Sequence, residues 1–205
     1  MKKYKAIIFD LDGVLIDSKQ NMSLAWSQVK KKTGIKKSFK EYFKYIGLPF
    51  TQILFKLKIN NNHRKIQNIY SSSSIKNLKK IALYKNVLKT LNILKNKKIK
   101  ICVVTSKDKS RTKKIIRSFK LPIKHSFSPS SSYRGKPHPE LINRALKKLS
   151  LTNKETCYVG DMLVDQRTAV NAKMDFIYTS YGYGNYKKKF KNSIKNLEEI
   201  LKLIK

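Results

Sequence analysis

Four apolar residues, Ala6-Ile7-Ile8-Phe9, stop abruptly at Asp10, and Asp12 and Gly13 follow at once. A short apolar run ended by a turn signal is the pattern of a strand buried on both faces of a parallel sheet. The pattern recurs along the chain. Residues 100–104 end in Thr105-Ser106, residues 156–159 in Gly160-Asp161, and residues 176–179 in a Gly/Tyr turn from Tyr181 to Gly184. Residues 123–127 are a weaker copy. Helical spacing fills the intervals: 85–96 carries Val87, Leu88, Leu91 and Leu94, 108–119 carries Ile115 and Ile116, and 139–149 and 163–172 follow. A last helix is expected to place Ile194, Leu197, Ile200, Leu201 and Ile204 on one stripe. Strands alternating with helices predict a doubly wound, Rossmann-like α/β core with a five-stranded parallel sheet.

The first strand then puts Asp10 and Asp12 at a carboxyl edge, where ligands bind in open parallel sheets. Two acids held close there repel unless a cation or a shared proton intervenes. Either Asp alone also fits a turn former or a helix cap. Residues 19–80 interrupt the alternation. They show no period-2 strand, but residues 19–33 place Met22, Ala25, Trp26 and Val29 at helical spacing, with Asp17 or Ser18 to cap them. Short helices are expected at 39–46, 51–57 and 64–70, with polar loops at Asn60-Asn61-Asn62 and at Ser71 to Ser74. The expected division is an α/β core of residues 1–17 and 83–205 carrying a helical insert of residues 18–82.

No run of about 18 apolar residues exists, so no membrane span is expected. The apolar run after the N-terminal lysines is too short for a signal peptide, and a cytoplasmic location is expected. Cys102 and Cys157 lie inside apolar runs and read as reduced packing residues. The charge is extreme: 47 Lys plus Arg against 12 Asp plus Glu, net +35. Such a field attracts polyanions. Only six of those cations are Arg, the residue that grips phosphate through a planar fork. The lysines are spread over most expected helices, so a solvated surface is favoured over a nucleic-acid groove.

Four motifs fall at the expected strand ends, in order. Residues 6–18 read AIIFDLDGVLIDS, residues 103–107 read VVTSK, residues 135–139 read GKPHP, and residues 159–165 read VGDMLVD. Together they resemble the motifs of the haloacid dehalogenase superfamily in its phosphatase form. The resemblance implies Asp10 as nucleophile and Asp12 as general acid/base. It implies Thr105, Ser106 and Lys136 as holders of the phosphoryl group. Mg²⁺ would sit on Asp10, Asp12 through its main-chain oxygen, and Asp161, with Asp165 in support.

The 95 residues from Asp10 to Thr105 are too many for one crossover. They match members with a small helical cap between the first two motifs, such as phosphoglycolate phosphatases and β-phosphoglucomutases. The stretch around Gly47 to Thr51 resembles the cap loop that reaches into their sites. Ala172-Lys173 departs from the family, where Gly is frequent after Ala, and implies a weaker turn.

The implied activity is Mg²⁺-dependent hydrolysis of a small phosphorylated metabolite, phosphoglycolate- or sugar-phosphate-like, through an aspartyl-phosphate. The nearest rival is a sugar-phosphate mutase of the β-phosphoglucomutase type. Such mutases commonly carry His where Met22 stands, and Met cannot exchange a proton. A rival of another class is a basic nucleic-acid-binding protein with an inactive site, which four intact motifs argue against.

Overall fold

The computed structural model describes residues 4–186 and 190–203. At its centre, β1 (Ala6–Phe9) lies between β4 (Lys100–Val104) and β6 (Thr156–Gly160), parallel to both. Beyond them stand β5 (His125–Phe127), β7 (Asp175–Thr179) and β8 (Ser193–Ile194), giving the order β5-β4-β1-β6-β7-β8 with every pair parallel.

Side chains on these strands alternate between two apolar layers. Ile7, Phe9, Ile101, Val103, Cys157 and Val159 face one layer, together with Val87, Leu91 and Leu94 of α5 (Val87–Asn96) and Ile115 of α6 (Lys109–Ser118). Ala6, Ile8, Cys102, Val104 and Tyr158 face the other, against α7 (Glu140–Leu149) and Ala169 of α8 (Leu163–Asn171). Burial on both faces explains why these strands read as unbroken apolar runs. Each fully buried Ile or Phe contributes about 1.5–3 kcal/mol. The two cysteines fall on opposite faces, and neither is in a disulfide. No helix of the described residues is long and apolar enough to cross a membrane.

The insert contains α1 (Lys19–Thr33), α2 (Phe39–Phe43), α3 (Phe50–Lys56) and α4 (His63–Lys76), and has an apolar cluster of its own. Trp26 stacks on Tyr42 with ring centroids 4.6 Å apart, and its indole N–H donates to Lys37 O at 2.9 Å. Where the chain enters and leaves the insert, β2 (Ile16–Asp17) pairs antiparallel with β3 (Ala82–Leu83).

The structure corrects several expectations. The sheet has six strands, because Ile194 belongs to β8 and not to the final helix. That helix, α9, spans only Ile200–Leu203, after a 3-10 turn at Leu197–Glu199 in which Asn196 Oδ1 accepts Glu199 N–H. Ile204 lies outside the described residues. Ser71 to Ser74 are not a loop but the third turn of α4. Ser74 is buried there: its hydroxyl donates to Asn21 Oδ1 at 2.6 Å, and Asn21 Nδ2 returns a bond to Ser74 O at 2.9 Å. Packing against α1 outweighs the weak helix preference of serine. Ser18 stands at the start of α1 without capping it, and Asp17 accepts from Lys19 N instead. Lys173 adopts φ 51°, the left-handed conformation that favours the glycine absent here.

Candidate active site

Asp10 is the first residue beyond β1, and its N–H donates to Val159 O at 2.8 Å, so the sheet ladder itself fixes where the carboxylate emerges. Asp161 follows β6 in the same way. Gly13 (φ +83°) presses against the Asp161 carboxylate, and so does Gly182; a side chain at either position would displace it. Tyr183 N–H donates to Asp161 Oδ2 at 2.6 Å. Asp161 Oδ1 is buried and has no partner among the described residues.

Lys136 reaches into this edge from the loop before α7. Its ammonium lies 2.8 Å from Asp10 Oδ1 and 2.6 Å from Asp165 Oδ1, and all three side chains are buried. Both oxygens of Asp165 are committed. Oδ1 also receives Tyr158 OH at 3.2 Å, and Oδ2 accepts Met162 N–H at 2.9 Å at the start of α8. Asp165 therefore orients Lys136, and Lys136 in turn neutralises Asp10. Carboxylate oxygens of Asp10, Asp161 and Asp165 lie within 4.8 Å of one another. With Asp165 occupied, Asp10 and the orphaned Asp161 Oδ1 form a hard, all-oxygen donor pair in a buried cradle, which fits Mg²⁺.

The electrostatics are those of crowded acids. Burial first, then the neighbouring Asp165 and Asp12, raise the Asp10 carboxyl to about 7 against the opposing pull of Lys136. Burial, followed by Asp165 and Asp10, pushes Asp161 well above the usual carboxylate range. Burial works against the Lys136 ammonium, but Asp10 and Asp165 outweigh it and raise its pKa.

Asp12 points elsewhere. Its Oδ1 receives the Ser18 hydroxyl and lies 3.1 Å from the buried Lys107 Nζ. Thr105, at the end of β4, is buried and its Oγ1 accepts Lys107 N–H at 3.2 Å. The Ser106 hydroxyl donates to Gly47 O of the insert at 2.6 Å. The insert loop at Gly47 and Leu48 thus closes over the sheet edge, with Pro49 seated against Gly135. Phe43 packs edge-on to Tyr183 at 5.3 Å on another side.

Asp10, Asp12, Thr105, Ser106 and Lys107 share one cavity of about 40 Å³ with Met22, Tyr42, Tyr70 and Arg111. Lys136, Asp161 and Asp165 lie beneath it. All seven residues singled out from sequence are therefore brought to one sheet edge.

Four further residues were not singled out. Lys107 and Arg111 are buried cations, Tyr158 supports Lys136, and Tyr183 joins Asp161 to the neck of the insert through a bond from Ser18 N–H to its hydroxyl at 2.7 Å. Only Lys107 had a signal, its place inside VVTSK.

A sequence model of haloacid dehalogenase-like hydrolases matches residues 7–179. The chain is 26% identical to a phosphoglycolate phosphatase of Aquifex aeolicus, over 87% of this chain and 86% of that one. It is also 26% identical to the pyrophosphatase PpaX of Oceanobacillus iheyensis, over 77% and 74% of the two chains. Its fold superposes on a haloacid dehalogenase-like family hydrolase from Streptococcus pneumoniae with TM-score 0.84, at 20% identity and 99% coverage of both.

Proposed function

The chain belongs to the haloacid dehalogenase-like hydrolases, and from that premise we propose that it is a Mg²⁺-dependent phosphatase of a small organic phosphate monoester. The observation that carries the reading is the buried group at the sheet edge, where Lys136 balances Asp10 while Asp161 Oδ1 stands beside them without a partner. Asp10, Asp161 and the main-chain oxygen of Asp12 would hold Mg²⁺. When bound, the ion supplies neutralising charge to the carboxylate and to the transferring phosphoryl group.

Asp10 attacks phosphorus in line; its P–O bond forms as the bond to the leaving oxygen breaks, giving an aspartyl-phosphate. Asp12 donates the proton that the leaving oxygen needs, then takes one from the water that cleaves the acyl-phosphate. The Thr105 hydroxyl, Ser106 N–H and Lys136 hold phosphoryl oxygens, with Lys136 kept charged by Asp165. We assign this chemistry to the core of residues 1–17 and 83–205, and substrate selection to the cap of residues 18–82.

The cavity of about 40 Å³ favours a small substrate. On a scale where one water needs about 10–15 Å³, it suits a few heavy atoms rather than a nucleotide. Phosphoglycolate and pyrophosphate, which name the relatives, are far smaller than a nucleotide. Met22 in the cavity wall speaks against a mutase, because it offers no proton to exchange.

The test is phosphate release from a panel of phosphorylated metabolites, with Mg²⁺ or with EDTA. It is paired with mass spectrometry of acid-quenched enzyme for a phosphoryl group on Asp10. Asp10→Asn should keep its circular dichroism and lose turnover. A folded Asp10→Asn protein with substantial activity would remove the nucleophile assignment.

A further inference from the structure

Two buried cations face the cavity without a part in the chemistry just described. Lys107 and Arg111 are each 5% exposed, and both line the cavity that Asp10 and Thr105 line. The Arg111 guanidinium lies over the Tyr70 ring, 4.9 Å from its centroid, and Tyr70 packs against Tyr42 at 5.7 Å. Arg111 is compensated from outside the cavity: its Nε donates to Asp108, which also receives Ser71 Oγ at 3.3 Å. Lys107 leans on Asp12, 3.1 Å away, a group that the phosphatase reading needs for proton transfer. Each cation has one carboxylate partner, Asp12 for Lys107 and Asp108 for Arg111, and both side chains still line the cavity, where a further anion would meet them together. A planar guanidinium with an ammonium next to it matches a carboxylate or a phosphoryl group.

We propose that Lys107 and Arg111, flanked by Tyr42 and Tyr70, form a second anion subsite beneath the cap, so that the preferred substrate carries a carboxylate or second phosphoryl group besides the one transferred. The inference rests on the phosphatase reading and deepens it. The subsite holds the remote anion against the cap side of the cavity while the transferred group lies over Asp10. A substrate with an uncharged remote group offers the buried Lys107 and Arg111 nothing beyond Asp12 and Asp108, and a site built around polar partners rejects analogues that lack them.

The experiment compares kcat/KM for three probes: phosphoglycolate, pyrophosphate and 2-hydroxyethyl phosphate, whose remote group is an uncharged hydroxyl. The wild type should favour at least one probe with a second anionic group over 2-hydroxyethyl phosphate by about 100-fold, the scale of one or two charge-assisted hydrogen bonds. In the double variant Asp108→Asn/Arg111→Gln, which removes a cation and its compensating anion together, that preference should fall about tenfold or more. Loss confined to phosphoglycolate assigns the carboxylate, and loss confined to pyrophosphate assigns the phosphoryl group. Should the double variant fail to fold, Arg111→Lys keeps the charge without the fork and should still lower the preference.

If Arg111 merely pins the cap, all three probes drop together and the preference is unmoved, which overturns the inference. Wild-type enzyme that hydrolyses all three alike also overturns it and leaves the phosphatase reading standing. Wild-type enzyme that hydrolyses none of them, nor any member of the metabolite panel, overturns that reading and the subsite with it.

Discussion

Stripping divalent cation from the protein should make its stability fall as pH rises from about 5 to about 8. Asp10 is buried, and its carboxyl stands at about 7 against an ordinary value of 3.8. Between those values the folded chain keeps a proton that the unfolded chain has lost. The unfolded state then binds fewer protons, so raising the pH favours unfolding. The stabilising proton is fully lost once the pH passes the folded value. Carrying Asp10 ionised above that point costs about 4 kcal/mol, taking about 1.4 kcal/mol for each pH unit between the two values. Of this, the part lost between about pH 5.5 and about pH 8 comes from the roughly 1.5 pH units below the folded value, about 2 kcal/mol; for a chain of this size 1 kcal/mol moves Tm by about 2–4 °C, so the difference between the two pH values is about 4–8 °C. Asp161 is raised as well and acts with the same sign. Mg²⁺ requires ionised carboxylates, so it should restore Tm near pH 8 and do little near pH 5.5.

The assay is thermal denaturation at about pH 5.5 and about pH 8, each in EDTA and in excess Mg²⁺. Asp10→Asn serves as the reference for all other titrating groups. The difference in Tm between wild type and variant isolates Asp10. If that difference in EDTA is the same at both pH values, Asp10 does not hold a proton in the fold and the argument fails.

Other outcomes follow from the same geometry. Lys136→Met leaves Asp10 and Asp165 buried without their cation, and breaking a buried pair from one side costs about 3–5 kcal/mol; an unchanged melting curve would contradict the buried contacts. Asp161→Ala should leave Tm in EDTA unchanged or higher, because it removes an acid with one unpartnered oxygen, and should abolish the rise that Mg²⁺ produces. A Mg²⁺ response equal to that of the wild type would move the ion elsewhere. Raising ionic strength should lower kcat/KM much more than kcat, since salt screens the net +35 field over about 8–10 Å but not short buried bonds. Neutralising the exposed Lys56, Lys58 and Lys65 should flatten that dependence, whereas a salt-independent kcat/KM in the unmodified enzyme would reduce the lysines to solvated surface.

The strands and the motif residues were legible because burial on both faces forces long apolar runs, and because each run ends in a residue unsuited to continue it. Asp10, Thr105 and Asp161 are visible for that reason. Lys136 could be found among so many lysines only through the glycine and prolines that flank it. Lys107 had only its place inside VVTSK, and Arg111 had nothing, since KDKSR does not separate a buried cation from a surface one until α6 is docked against α4. The serines of α4 misled for a related reason: their helical state depends on Asn21, a partner 53 residues away. Ile194 fits a helical stripe as well as a strand, and the choice is made by its pairing with β7. What the local pattern lacks in each case is the identity of a distant neighbour.

The two-stranded neck has a consequence for how the insert can be changed. Asp17 and Ala82 are register partners, so the chain leaves the core and returns to it at adjacent points. To the core sheet, the whole insert is a loop whose ends are already held together. The entropy of closing such a loop grows only as the logarithm of its length, about 0.6 kcal/mol for each doubling. The core therefore gains little stability from a shorter insert and loses little to a longer one. Grafting a different helical segment between Asp17 and Ala82 should leave the six-stranded sheet intact, and the graft becomes a way to exchange the roof of the cavity while Asp10, Lys136 and Asp161 stay where they are.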